Sequence, residues 1–332
     1  MKQKLKQWVA SVPKAELHLH IEGSLEPELM MSLAAKHGVA LPYASIDEVR
    51  EAYNFHNLQS FLDLYYLGAS VLRDEEDFYQ LMLAYLQRCR EDNVVHTEIM
   101  FDPQTHTARG IGFDIFMPGF LRAIKQAEQE WGQSALLIMS FLRHLSEESA
   151  MQTLHDAHNY LSHITAVGLD SSELGNPPEK FARVFAKAKQ LGLKRVAHAG
   201  EEGPPAYVWG ATHTLEVDRV DHGVRSIEDP ALVAHLVANN IPLTVCPLSN
   251  TKLKVFAHMS EHNILDLLEQ GLVVTVNADD PSYFGGYLND NYFALIEHLP
   301  VTRQQLSQMI KNSFSASFLA EDAKQKWQEH CN

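Results

Sequence analysis

The sequence is poor in the residues that build stapled scaffolds. Its three cysteines, Cys89, Cys246 and Cys331, lie far apart, are odd in number and form no CxxC pair. That excludes a disulfide framework and a cysteine-held zinc or redox centre. Each cysteine reads instead as a small buried hydrophobe or a tail residue. Long apolar runs are missing too, and none approaches the ~20 residues that a membrane helix needs. Residues 1–10 carry three lysines but only the short apolar run Trp8-Val9-Ala10. They lack a signal-peptide core, so the expected setting is soluble and cytoplasmic. Positive charge is scarce: 27 Lys+Arg stand against 42 Asp+Glu, a net charge of −15. Neither nucleic acid nor an anionic membrane is then the main partner, since both demand a basic footprint. A neutral base or nucleoside remains compatible.

There is no internal repeat, no low-complexity tract and no Pro/Gly/Ser linker long enough to separate domains. What recurs is a rhythm of short apolar runs with helical stretches between them. Strands are expected at 15–20, 96–102, 136–142, 164–170, 195–200, 219–223, 242–247 and 273–280. Several are almost continuously apolar, as strands covered on both faces are. The stretch 177–191 places Phe181, Val184, Phe185 and Ala188 at helical spacing, with prolines before it and Gly192 after it, the usual start and stop signals. Helices are likewise expected at 229–239 and 259–270, and beyond Asp290. Strands alternating with helices predict a (β/α)8 TIM barrel, a fold that routinely needs ~250 residues or more. The whole chain, 1–332, then reads as one barrel domain. The segment from about 22 to 95 is too long for one crossover. Its helical stretches at 26–37, 58–72 and 77–92 predict an insertion after strand 1 that covers one end of the barrel.

Catalytic groups of α/β barrels gather at the C-terminal ends of the strands. Here those ends are polar: His18-Leu19-His20, Phe101-Asp102, Asp170, His198-Ala199-Gly200-Glu201, Asp221-His222-Gly223 and Asn277-Ala278-Asp279-Asp280. The unusual wealth of histidine, 18 residues, is thus partly spent at one end of the barrel. His18 and His20, two apart on a strand, share a face, here the lumen. Paired imidazoles are a natural start for a transition-metal site, with His198 as a third nitrogen ligand and Asp279 as a carboxylate. Such a set suits Zn²⁺, which lowers the pKa of a bound water toward neutrality. His222 is placed to hold and deprotonate that water. Glu201, on the loop leaving its strand, is placed to give a proton to substrate, and Asp280 to reach the pocket rim, though a helix cap before Pro281 also fits it. The fourth strand ends without the Lys that bridges two-metal barrel sites, so one metal ion per chain is expected. A His96-Thr97-Glu98 triplet matches the first half of a His-x-Glu…Cys-x-x-Cys zinc-enzyme signature. No CxxC follows it, so it is read as a coincidence on the second strand.

The motifs Pro13-Lys14-Ala15-Glu16-Leu17-His18-Leu19-His20, His198-Ala199-Gly200-Glu201, Asp221-His222-Gly223 and Asn277-Ala278-Asp279-Asp280-Pro281 together resemble the adenosine/adenine deaminase family of the amidohydrolase barrels. The likeness runs in order over nearly the whole chain. It implies zinc held by His18, His20, His198 and Asp279. It also implies that Glu201 donates a proton to the purine ring, His222 positions the hydrolytic water and Asp280 contacts the N7 side. Adenosine deaminases usually have Asp where this chain has Glu22, and a small Leu-Ala-Gly run where it has Ser171-Ser172-Glu173. The stretches HIEGSLEP (20–27), DPQTH (102–106), FLRHLS (141–146) and PLSN (247–250) resemble the adenine deaminase branch. That branch implies a small-molecule purine partner and hydrolysis of adenine to hypoxanthine and ammonia, as in purine salvage. Adenosine and N6-substituted adenines are the alternatives, and assembly into a homo-oligomer is left open. Glu22 is expected at the pocket mouth, where it would crowd a ribose. A non-catalytic purine-binding protein would have lost one of Glu201, His222 or Asp280, and a barrel hydrolase of amides or phosphoesters would want the missing lysine.

Overall fold

The computed structural model describes residues 1–331. Eight parallel strands lie in sequence order: β1 (Lys14–His20), β2 (Val94–Phe101), β3 (Ser134–Leu142), β4 (Ile164–Asp170), β5 (Lys194–Ala199), β6 (Arg219–His222), β7 (Leu243–Val245) and β8 (Val274–Val276). Each pairs in parallel with the next. The ring closes between β8 and β1. There Asp279 N–H donates to the His18 carbonyl at 3.1 Å, and His20 N–H donates to the Asp279 carbonyl at 2.9 Å. Side chains finish the seam: Asn277 Oδ1 accepts from Leu17 N–H and Glu16 Oε1 from Ala278 N–H. The fold is therefore the (β/α)8 barrel that the alternating pattern predicts, although β7 and β8 are only three residues each.

Side-chain alternation along a strand sorts the barrel interior into layers. Near the floor, Arg219 and Glu98 form a fully buried ion pair at 2.7 Å, and Phe318 lies over the guanidinium. Above them Met100, Ile138, Ala166 and Val196 form a small apolar cluster separate from the main core. Two residues further along the same strands come Asp102, Ser140, Gly168 and His198, and then Asp170 at the end of β4. The main core lies outside the ring, between the strands and the surrounding helices. His96 and Glu98 belong to the floor, so the His-x-Glu triplet takes no part in the polar end.

Between β1 and β2 run helices Pro27–His37, Ile46–Ala52, Leu58–Ala69 and Glu75–Glu91. Asn57 with Ser60 and Asp74 with Asp77 form capping boxes at the starts of the last two, each satisfying backbone N–H groups that have no partner inside the helix. One expected helix is not continuous. In place of a single helix over 259–270 there is a short turn, Met259–Glu261, and then Ile264–Glu269. His262 interrupts it, because its ring turns inward and Nδ1 accepts the Ile264 N–H. No helix among the described residues is long and apolar enough to cross a membrane.

Candidate active site

The polar strand ends converge. His18 Nε2 and His20 Nε2 each lie 3.2 Å from His198 Nε2, and 3.2 and 3.4 Å respectively from Asp279 Oδ1. Four donors bound to one ion at ~2.0–2.1 Å in a tetrahedron are about 3.3 Å apart, so the spacing fits a metal of zinc's size. The other ring nitrogens face acceptors. His18 Nδ1 is 3.3 Å from the Thr244 carbonyl, His198 Nδ1 is 3.4 Å from Asp221 Oδ2, and His20 Nδ1 is 3.4 Å from Asp170 Oδ2. Those partners keep the proton on Nδ1 and turn bare Nε2 lone pairs toward one point, as partners behind metal-ligating histidines do. Lone pairs facing one another satisfy no hydrogen bond. A cation satisfies them.

Burial pushes His20 down to about 4 and lowers His198 as well, which keeps both rings in the neutral form that binds metal. His18 differs. Burial opposes its protonation, but the Asp279 and Asp221 carboxylates outweigh burial and raise it. A bound cation would take the place of that proton.

His222 closes the other side of Asp279, with Nε2 3.8 Å from Asp279 Oδ2 and 3.5 Å from Glu201 Oε2. It is near enough to form an alternative quartet with His18, His198 and Asp279. Yet Asp279 presents Oδ1 to His18 and His20 and its other oxygen to His222, which places His222 beside the cluster of donors. Burial drives its ring well below the usual histidine range. Glu201 is 4% exposed. Burial, followed by the nearby Asp279, Glu173 and Glu202 carboxylates, raises its pKa well above normal. Asp280 is likewise raised, by burial and then by Asp279, and its Oδ1 has no hydrogen-bond partner in the protein. Both acids face the cavity, and the raised pKa favours their protonated, donating form.

These groups line one end of a cavity of about 400 Å³, counted with its open mouth. Leu58, Phe61, Leu62 and Tyr66 of helix Leu58–Ala69 line it, together with Leu253 and Phe284. The helical insertion therefore forms part of the cavity wall. The backbone is under tension at the strand ends: Ser171, His222 and Asp279 all have positive φ, 73°, 62° and 64°. Non-glycine residues held there cost on the order of 1–3 kcal/mol each and gather at functional sites.

One expectation is corrected. Glu22 does not sit at the cavity mouth. It is buried behind Asp102, where Oε1 accepts from His106 Nε2 at 2.7 Å and from Asp102 N–H at 3.2 Å. Tyr65 O–H lies 3.3 Å from its Oε2. The chain turns sharply over Glu22–Ser24, and the longer side chain reaches inward to His106. The residues facing the cavity there are Asp102 and Tyr65, joined at 2.8 Å.

Several contributors escaped the sequence reading as participants. Asp221, Asp170 and Thr244 stand behind His18, His20 and His198, and the polar ends of their own strands were the available signal for the first two. Gly23 has no side chain because one would collide: a Cβ there would lie 1.9 Å from Asp280 Oδ1. Glu173, flagged only as a mark of the branch, grips the loop that carries Glu201. Asn250 contacts Glu201 and His222, and His262 contacts Asn250; only the PLSN likeness pointed near them.

The adenosine deaminase family profile matches residues 13–331. An adenine deaminase of Hahella chejuensis is 60% identical over 96% of this chain and 96% of its own. One of Acinetobacter baylyi is 58% identical over 98% of both. A crystal structure of an adenine deaminase from Arthrobacter aurescens superposes with a TM-score of 0.95, at 45% identity over 97% of this chain and 98% of that one. With the sequence motifs converging on one end of the barrel and relatives matched along nearly their full length, the chain belongs to the adenosine deaminase family.

Proposed function

We propose that the chain hydrolyses adenine to hypoxanthine and ammonia, using one divalent ion, zinc, held by His18, His20, His198 and Asp279. The observation that carries the chemistry is the juxtaposition of four convergent metal donors with the buried Glu201 carboxyl at one end of a single cavity. The choice of free adenine rests on relatives at 45–60% identity that bear that activity. Three imidazoles and a carboxylate suit zinc, whose role when bound is to supply a water of lowered pKa.

The chain's own groups do the rest. Glu201 gives its proton to purine N1, which weakens the ring's aromaticity and makes C6 electrophilic. Asp280, protonated, donates to N7 and fixes the ring plane. His222 and Asp279 flank the position from which water must approach C6: His222 holds the water's oxygen through Nε2–H, and Asp279 takes its proton and carries it toward the departing amine. The C6–N bond breaks and ammonia leaves; the oxygen of water stays on C6 as a carbonyl, and its second proton returns to Glu201. Leu58, Phe61 and Leu62 keep bulk water from the reacting face.

Tyr66 O–H lies 3.0 Å from Ser171 Oγ, which in turn lies 2.8 Å from His144 Nδ1. This link ties the insertion to the loop after β4 and narrows the space a sugar would need. Initial rates on adenine and adenosine test the reading. Adenine should lead in kcat/KM by ~10²-fold or more, the low end of what mismatched polar groups impose. Equal rates would move the assignment to the nucleoside.

A further inference from the structure

Two residues that touch neither the metal donors nor the cavity stand in line behind the proton donor. His262 is 4% exposed, and burial pushes its pKa down to about 3, so the ring is neutral. Its Nδ1 accepts the Ile264 backbone N–H at 3.1 Å. The proton of the neutral ring must then sit on Nε2, which is 3.3 Å from Asn250 Oδ1. A carboxamide looks alike at both ends, but this donor permits only one orientation: oxygen toward His262, NH2 away from it. That NH2 meets both catalytic groups, Glu201 Oε1 at 3.2 Å and His222 Nδ1 at 3.4 Å.

We infer, on the deaminase reading above, that His262 and Asn250 are positioning residues: His262 orients the Asn250 carboxamide, which holds Glu201 by Oε1 and keeps His222 Nδ1 free of a proton. The consequence for Glu201 is that Oε1 accepts a hydrogen bond, so the transferable proton rides on Oε2. The consequence for His222 is that its proton sits on Nε2, the nitrogen facing Glu201 Oε2 and Asp279 Oδ2. A reversed carboxamide would place its oxygen against Glu201 and His222. It would draw the Glu201 proton to Oε1 and the His222 proton to Nδ1, both turned from the reacting atoms. The short helix Pro247–Lys252 that carries Asn250 starts where β7 ends, and His262 comes from the break in the expected 259–270 helix. That break thus acquires a purpose.

The test uses the metal-loaded full chain, with kcat and KM on adenine, melting temperature and metal content for each variant. His262→Phe keeps a ring against Phe256, whose centroid is 4.4 Å away, but cannot donate. It should lose ~10-fold or more in kcat, with KM within about 3-fold and metal retained, because the acid is misoriented rather than the substrate lost. His262→Gln restores an N–H donor of similar reach and should recover most of that loss. Asn250→Asp is isosteric but turns an acceptor toward Glu201 and His222. It should lose ~10²-fold or more in kcat, within the range a general acid is worth. Full kcat in His262→Phe, or an equal loss in His262→Gln at unchanged melting temperature, overturns the inference. Should His262→Phe fail to fold, Asn250→Asp decides by itself, and a kcat within about 3-fold of the unmodified chain overturns the inference. An unmodified chain that leaves adenine intact would overturn the functional reading and this inference with it, a result distinct from an active chain indifferent to both positions.

Discussion

The Glu173 carboxylate accepts the backbone N–H of Glu201 at 3.1 Å, and it does not stop there. It also accepts N–H from Gly200 at 2.6 Å and from Glu202 and Gly203 at 2.8 Å each. A residue from the loop after β4 thereby fixes the whole loop that leaves β5. The Glu201 backbone is held because a neighbouring carboxylate fills its concavity, as an anion does in a nest of N–H groups.

Glu173→Gln should therefore cost activity without touching substrate. The amide replaces one acceptor oxygen by a donor, which then faces N–H groups. Displacing Glu201 by a fraction of an ångström to an ångström should lower kcat by ~10²-fold. The melting temperature should fall as well, since hydrogen bonds to a charged group are worth about 1.5–3 kcal/mol each. Steady-state kinetics on adenine with thermal unfolding check it, and unchanged kcat would release Glu173 from this role.

Gly23→Ala probes Asp280 from behind. A Cβ at that site would sit 1.9 Å from Asp280 Oδ1 and 2.6 Å from its Cβ, so the carboxyl must move. If Asp280 holds purine N7, losing that bond should lower kcat/KM on adenine by roughly 10–100-fold, the equivalent of about 1.5–3 kcal/mol. Metal content should stay normal. A variant with full kcat/KM would remove Asp280 from the substrate's contacts.

The metal assignment is checked by elemental analysis of purified protein, where about one divalent ion per chain is expected. His18→Ala and His198→Ala should each lose the ion and the activity, since each removes a donor and exposes the others to competing water. Two ions per chain in fully active protein would contradict the mononuclear reading.

The pH profile reports Glu201. A general acid works only when protonated, so activity is present below its pKa and is lost as pH rises through it. Burial and the neighbouring carboxylates raise that pKa well above the usual glutamate range. The alkaline limb of kcat/KM should accordingly lie far above the pH at which an ordinary glutamate ionises, about 4.3. Glu201→Gln cannot deliver a proton and should fall by ~10²–10⁴-fold with metal retained. An alkaline limb that ends near pH 4–5, where an ordinary glutamate ionises, would overturn the raised pKa of Glu201.

Much of the molecule was legible in the sequence, for a definite reason. Strands covered on both faces must be apolar throughout, so a polar residue inside such a run advertises itself. His18, His20 and His198 stand out in that way, and Glu201, His222, Asp279 and Asp280 as polar residues at or just past strand ends, which the barrel brings together; the eight strands and the barrel they form were legible as well. Parity along each strand said which of them share the lumen. Tertiary structure alone decided where longer side chains end. Glu22 differs from aspartate by one methylene, and only the position of His106, many residues away, turns it from the mouth into the wall. The grip of Glu173, the clearance at Gly23 and the order His262–Asn250–Glu201 likewise join loops from separate strand ends. Periodicity within one segment carries no information about contacts between segments. Those contacts are fixed when the barrel closes, and it closes at Asp279, the residue that both forms the seam of the sheet and turns its carboxylate toward His18 and His20.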